Sequence, residues 1–496
     1  MKSRPMKSST GPVLALFDGG DGGPLQQRLF ERLRGAILAG TLAPGDRLPS
    51  TRTLARDLDL SRNTVVAAVE RLAAEGYLEA RVGSGTYVAR VLPEELLTAD
   101  AETRAAPCRP VAAPASRAAA PSRPRPGATE APLPFRPGLA ALDQFDLETW
   151  RRLLGRRWRQ AQAPSLERDQ GLGWAPLRRA LSVHLDSTRG IRCDPGQIVI
   201  VPSRTAALNL ACALVARPGD QVWVEDPGCP ALKEQLAARA LRPVPVPVDA
   251  EGLDAAAGRL MYPAARLACV SPAWQFPLGG AMSLRRRLEL LAWARATGAR
   301  ILEDDSDGGF RYAGKPLAAL KGLDEHGSVL HAGGFDRVLF PSLRVAYLVV
   351  PAELAERAAA LRAALDLHVP LMEQMALADF MTEGHLASHI RRARQTYQER
   401  QEALVEAAER RWSGAVELVP SAAGLHAVAK LAPGLSDTAL QDLAARHSVE
   451  VAALSPHYAG PGPRTQGLVL GFAAFGPALI NRAAERLAVV LERARA

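Results

Sequence analysis

Gln197-Ile198-Val199-Ile200-Val201-Pro202-Ser203-Arg204-Thr205-Ala206-Ala207-Leu208-Asn209-Leu210 decides how the larger part of this chain folds. An apolar, β-branched run at 197–201 gives way within two residues to a helical segment at 203–215. The first stretch is too short for a helix and reads as a strand, so the two together form a strand–helix unit. Further strand-like runs follow at 221–225, 243–248, 266–271, 300–304, 329–332 and 344–350, with another helical segment at 283–296. Alternation of this kind builds an α/β domain on a largely parallel sheet.

The chain has 496 residues, enough for two to four domains at roughly 100–200 residues each. Apolar residues make up 48% and charged residues 23%, ordinary values for a globular protein. No apolar run approaches the ~20 residues of a membrane span, which excludes a membrane protein of helical type. Basic residues outnumber acidic ones, 61 to 52, a balance that suits a polyanionic partner. The cysteines, Cys108, Cys193, Cys212, Cys229 and Cys269, are scattered without a CxxC or Cys/His cluster, so reduced thiols and no structural metal are expected. Residues 1–23 are polar and glycine-rich, lack the apolar core of a signal peptide, and are expected to be disordered in a cytoplasmic protein.

Residues 91–134 are expected to be a linker. Within them Pro107, Pro110, Pro114, Pro121, Pro124, Pro126, Pro132 and Pro134 alternate with Ala and with Arg104, Arg109, Arg117, Arg123 and Arg125. A stretch with so few bulky apolar side chains cannot order itself, and its charge keeps it extended. It divides a small module, 24–90, from a large one, 135–496.

The small module reads as three helices and a hairpin. Leu25, Leu29, Leu33 and Ile37 recur along one helical face that Gly40 ends. Ser50 caps a second helix carrying Leu54, Ala55 and Leu58. Ser61 then caps a third, from Arg62 to about Glu75, with Val65, Val69 and Leu72 facing inward and Gly76 ending it. Two short helices with a tight connection make a helix-turn-helix, and the alternation on either side of Gly83-Ser84-Gly85 makes a wing. The third helix begins with Arg62, Asn63 and Thr64, side chains able to read base edges in a major groove, while its N-terminus favours phosphate. Arg52 and Arg81 would flank it, and Gly83, Gly85 and Thr86 would bring the wing against a sugar-phosphate strand. The pattern alone fits a protein-binding trihelical module with a solvated arginine face equally well.

Two resemblances bear on that choice. Gly45-Asp46-Arg47-Leu48-Pro49-Ser50-Thr51-Arg52-Thr53-Leu54-Ala55, Ser61-Arg62-Asn63-Thr64-Val65, Glu75-Gly76-Tyr77-Leu78 and Gly83-Ser84-Gly85-Thr86-Tyr87-Val88 resemble the winged helix of GntR-type transcription factors. That likeness implies double-stranded DNA as partner, met by Arg52, Ser61, Arg62, Asn63, Thr64 and the wing tip around Gly83. In the large module, Val224-Glu225-Asp226-Pro227-Gly228, Val270-Ser271-Pro272, Gln275-Phe276-Pro277, Glu303-Asp304-Asp305, Pro316-Leu317 and Leu339-Phe340-Pro341-Ser342-Leu343-Arg344 resemble the aminotransferase-like domain of MocR-type regulators. This implies the fold of type I pyridoxal-phosphate enzymes, with a smaller C-terminal α/β subdomain, and a homodimer binding repeated half-sites.

Pyridoxal phosphate needs an amine, a carboxylate for its ring nitrogen and donors for its phosphate. The resemblance assigns the carboxylate to Asp304 and a phosphate contact to Arg344. The amine position is Arg337, in Phe335-Asp336-Arg337 where the family reads Phe-Ser-Lys. A guanidinium stays protonated and delocalised and cannot act as the nucleophilic amine, so no aldimine is expected. Other positions depart in the same pocket: Ser306 replaces a tyrosine, Gly334 a hydroxyl, Ser203-Arg204-Thr205 a Gly-Ser-Gln start, Cys229 a tyrosine, Trp274 a histidine and Leu278 a threonine. The resulting expectation is a regulator whose large domain senses a small-molecule effector without covalent cofactor or catalysis. Non-covalent pyridoxal phosphate on Asp304 and Arg344 is one alternative, and an active aminotransferase fused to a DNA-binding region is another. Arg204, Arg337 and Arg344 could together form an anion pocket, though Arg337 could equally pair with Asp336 or Asp304.

Overall fold

The computed structural model describes residues 25–81, 84–90, 131–163, 171–305, 309–312 and 318–495. The expected linker core, the N-terminal segment 1–23, Gly83 and Ser306 lie outside the described residues. The chain falls into two compact units, Met1–Arg125 and Pro126–Ala496.

In the first unit, α1 (Leu25–Leu38), α2 (Thr51–Asp57) and α3 (Arg62–Ala74) pack over a hairpin of β1 (Leu78–Arg81) and β2 (Gly85–Val88). Leu29, Leu33 and Ile37 of α1 meet Val65, Val69 and Leu72 of α3 in one apolar core. Leu25, expected on the inward face, is 48% exposed. It is the first residue of α1, where the helix extends past the core. Gly40 and Gly76 turn the chain with φ of 73° and 84°, backbone space that glycine enters without strain. The segment at 45–48 adds a further pairing: Leu48 donates its N–H to Thr86, and Val88 donates to Asp46.

The second unit opens with α4 (Leu147–Gln160) and α5 (Ala175–Arg189). Its main sheet contains β3 (Ile198–Val201), then α6 (Arg204–Val215), β4 (Gln221–Asp226), α7 (Pro230–Ala238), β5 (Arg242–Asp249), β6 (Gly252–Leu253) and β7 (Ala265–Val270). After α8 (Leu284–Thr297) come β8 (Arg300–Asp304), β9 (Val329–Gly334) and β10 (Ala346–Val349). The order is β3-β10-β9-β8-β7-β4-β5-β6. Strands β5, β4, β7, β8 and β9 run parallel, while β10 is antiparallel to both neighbours. The central strands read as unbroken apolar runs because helices cover both faces.

Helices α9 (Leu371–Thr382) and α10 (His385–Arg411) lead to a second sheet of β11 (Val416–Val419), β12 (His426–Leu431), β13 (Ala452–Ala453) and β14 (Gly467–Gly471), backed by α11 (Pro477–Arg495). This is the smaller C-terminal α/β subdomain, in strand order β11-β12-β14-β13. The fold is therefore α/β, with a cleft at the carboxyl ends of the parallel strands, where open α/β sheets place ligands.

Candidate functional site

The first unit presents its polar residues at the start of α3. Ser61 accepts the Thr64 N–H at 3.1 Å, and Ser50 does the same for Thr53 at the start of α2. With Val65, Ala68, Val69 and Leu72 turned into the core, Arg62 and Asn63 are left exposed, as is Arg52 on α2. Thr64 and Thr86 are half-buried, and Gly85 sits at the wing with φ of 114°. Arg81 opposes Gly85 across the hairpin. One cation was missed by sequence reasoning. Arg47 is exposed, and its Nε lies 3.0 Å from where a Cβ on Gly85 would stand. The signal was available, since Arg47 precedes the Leu-Pro-Ser cap, but its pairing with the wing is a non-local contact.

In the second unit, Asp304 at the end of β8, Glu225 on β4, Ser271 after β7, Arg337 after β9 and Arg204 at the start of α6 line one cleft of about 80 Å³. Arg204, Arg337 and Arg344 also meet Ser203, Thr205 and Asp336 in an adjoining pocket of about 380 Å³. The structure thus brings together all four residues assigned to the coenzyme. It corrects the state of one of them. Asp304 does not wait as an open carboxylate: its Oδ2 accepts from Arg204 Nε at 2.7 Å and pairs with Arg204 Nη2 as well.

Two other acids near the strand ends, Glu225 in the cleft and Glu303 buried behind it, differ in charge. Burial pushes the Glu225 carboxyl up to about 8, and the negative charge on Asp304 adds to this against one N–H donated by Ser271. Burial alone would raise Glu303 too, but His331, with Nδ1 at 3.0 Å, and the N–H groups of Leu320 and Lys321 outweigh it and hold Glu303 below its ordinary value. His331, on β9, is a fully buried partner of that carboxylate. Trp274 turns from the cleft to donate its indole N–H to Ser421 and packs edge-on against His426.

Among the described residues that line the cleft there is no lysine. Lys321 pairs with Asp324 at 3.6 Å, and Lys233 donates to the His457 carbonyl. The residues present do not fit pyridoxal phosphate. Its ring nitrogen would need the carboxylate that Arg204 holds, and none of the described lining residues offers an amine for a covalent link. What the site can do is bind anions, through the arginines and the N–H groups at the start of α6.

Comparison with known proteins matches both units. A family model for bacterial regulatory proteins of the gntR family covers residues 25–88, and one for class I and II aminotransferases covers residues 171–487. The chain is 36% identical to the probable rhizopine catabolism regulatory protein MocR of Rhizobium meliloti, over 92% of this chain and 91% of that one. It is 32% identical to the pyridoxine biosynthesis transcriptional regulator PdxR of Corynebacterium glutamicum, over 90% and 91%. Among solved structures, the α-aminoadipate aminotransferase LysN of Thermus thermophilus superposes with a TM-score of 0.66 at 26% identity, over 73% of this chain and 92% of that one. Among the described residues no helix is long and apolar enough to cross a membrane.

Proposed function

The chain belongs to the MocR-type branch of the GntR transcriptional regulators, and from that premise we propose that its aminotransferase-like unit is a sensor and dimerisation module working without covalent cofactor and without catalysis. The observation that carries this reading is the Arg204–Asp304 ion pair beside Arg337. Transamination passes through an amine at the cleft floor, and here that position holds a guanidinium that no physiological pH deprotonates. Non-covalent pyridoxal phosphate would have to displace Arg204 from Asp304, breaking a charge-assisted pair in order to make another.

The DNA-binding unit docks α3 in a major groove of double-stranded DNA, with Arg62 and Asn63 at base edges, Ser61 and Thr64 near phosphate, and Arg52, Arg81, Gly83 and Thr86 flanking. Two such units in a cytoplasmic homodimer would read repeated half-sites. The test has two parts. Arg62→Ala should weaken operator binding by about tenfold, as expected for one lost base or phosphate contact of ~1–3 kcal/mol, and unchanged affinity would remove Arg62 from the interface. A metabolite panel including pyridoxal phosphate, read by operator release and by thermal shift, should yield a small molecule that changes DNA affinity. Transamination of any amino acid by the purified protein would overturn the proposal.

A further inference from the structure

The cleft at the strand ends is not the only enclosed space in the second unit. Asp304 and Asp305 are neighbours in extended chain, so their side chains leave the sheet on opposite faces. Asp304 meets Arg204. Asp305 enters a separate cavity of about 270 Å³, walled by α5, α10 and the ends of β9 and β10. This cavity shares none of its described lining with the cofactor-type cleft or its anion pocket.

Its floor carries an unmet demand. Asp305 is 7% exposed, and Oδ2 pairs with Arg189 at 2.6 Å, but Oδ1 is buried without a hydrogen-bond partner. A buried acceptor left unpaired keeps its full desolvation cost, so a donor supplied from the cavity would be gained at no competing loss. The wall is apolar along Leu386, Ile390, Phe335 and Val338. Two arginines stand in excess of the acids. Arg394 spends Nε and Nη2 on the Gly309 carbonyl and keeps Nη1, and Arg391 is exposed with no hydrogen-bond or ion-pair partner among the described residues. His184 adds no charge, because burial lowers it to about 4.

We propose that this second cavity is the effector site, and that it takes a small monocarboxylate with an apolar body and one N–H or O–H donor, the chemistry of an apolar amino acid or hydroxy acid. The carboxylate sits on Arg391 and Arg394 at the mouth, the apolar body lies along Leu386 and Ile390, and the donor reaches Asp305 Oδ1. The arginine excess disfavours a simple amine. The proposal rests on the reading that this unit senses a ligand, and it moves that ligand away from the ancestral cleft, which Arg204 fills.

The test is titration of the full-length protein with L-leucine, L-phenylalanine and 3-phenyllactate, with phenethylamine as the probe lacking a carboxylate, read by calorimetry and thermal shift. At least one of the three acids should bind and raise the melting temperature by a few degrees near saturation, while phenethylamine does not. Arg391→Ala, at an exposed position outside the core, should weaken binding about tenfold or more, as loss of a charge-assisted contact does. Ile390→Trp, which fills the cavity, should abolish it. Failure of all three acids to bind overturns the proposed site, while the sensing reading is judged separately by operator release. Binding that persists in both variants but falls in Arg344→Ala also overturns it, and places the effector back in the ancestral cleft with sensing intact.

Discussion

Arg204 and Arg337 carry most of the chemistry behind the proposed loss of catalysis, and they act differently. On the proposed reading Arg337 stands in place of the nucleophile, whereas Arg204 occupies the carboxylate that a ring nitrogen would need. Restoring the amine alone is therefore insufficient. Arg337→Lys should give no coenzyme adduct that borohydride fixes on Lys at that position, whereas the double variant Arg204→Ser with Arg337→Lys should give a detectable one. Equal adduct in the single and double variants would show that Arg204 is no barrier. A second residue-scale outcome concerns Glu225. Its carboxyl is raised from 4.5 to about 8 by burial, so the folded protein retains a proton that the unfolded chain sheds, and stability falls as pH rises between those values. Glu225→Gln cannot ionise. Its melting temperature relative to the parent should climb from about pH 5 to about pH 8 and then level off, and a gap independent of pH would sink the assignment. Arg337 was readable from sequence because residue type alone gives it. The Arg204 pairing was not, because residues 100 apart in sequence meet only once β3 and β8 share a sheet.

At the scale of elements, caps and glycines set what the sequence could reveal. Ser50 and Ser61 were legible as helix starts because a side-chain oxygen satisfying a free N–H is a local event, and both form the bonds expected of them. Ser61→Ala should cost about 1 kcal/mol in denaturant unfolding of the DNA-binding unit. A change below a few tenths would mean that Thr64, whose hydroxyl lies 2.7 Å from the Ser61 oxygen, replaces the cap. The parallel strands were legible as apolar runs within a residue or two of their ends, since burial on both faces imposes that composition. The pairing of 45–48 with the wing was not legible, because the stretch carries no alternation of its own. Gly173 shows a packing constraint that no local sequence pattern displays. Its φ is 104°, and a Cβ there would stand 2.5 Å from Ile200. Gly173→Ala should therefore lower the melting temperature, by several degrees for the ~2 kcal/mol or more typical of strain combined with core overlap.

At the scale of the whole molecule, the two family matches span a DNA-binding unit and an aminotransferase-like unit in one chain, which ties a sheet built for coenzyme chemistry to a helix built for a groove. A dimer is expected in sedimentation at micromolar concentration, with its affinity for a two-half-site operator falling steeply as salt rises, because each neutralised phosphate releases a counterion. A monomer with salt-independent binding would contradict the proposed assembly and its interface. The order of the two units is that of the family matches, and the proline- and arginine-rich stretch between them is a feature of the sequence alone. The cavity proposed as the effector site was not legible, because Asp305 lies far in sequence from Arg391 and Arg394 on α10 and no motif joins them. On the proposed reading the cleft at the strand ends does not hold pyridoxal phosphate covalently. The most direct measurement is intact mass of the purified full-length protein after incubation with pyridoxal phosphate and borohydride. Unmodified mass, or only trace adduct spread over exposed lysines, is expected. A stoichiometric phosphopyridoxyl group on one lysine would contradict it.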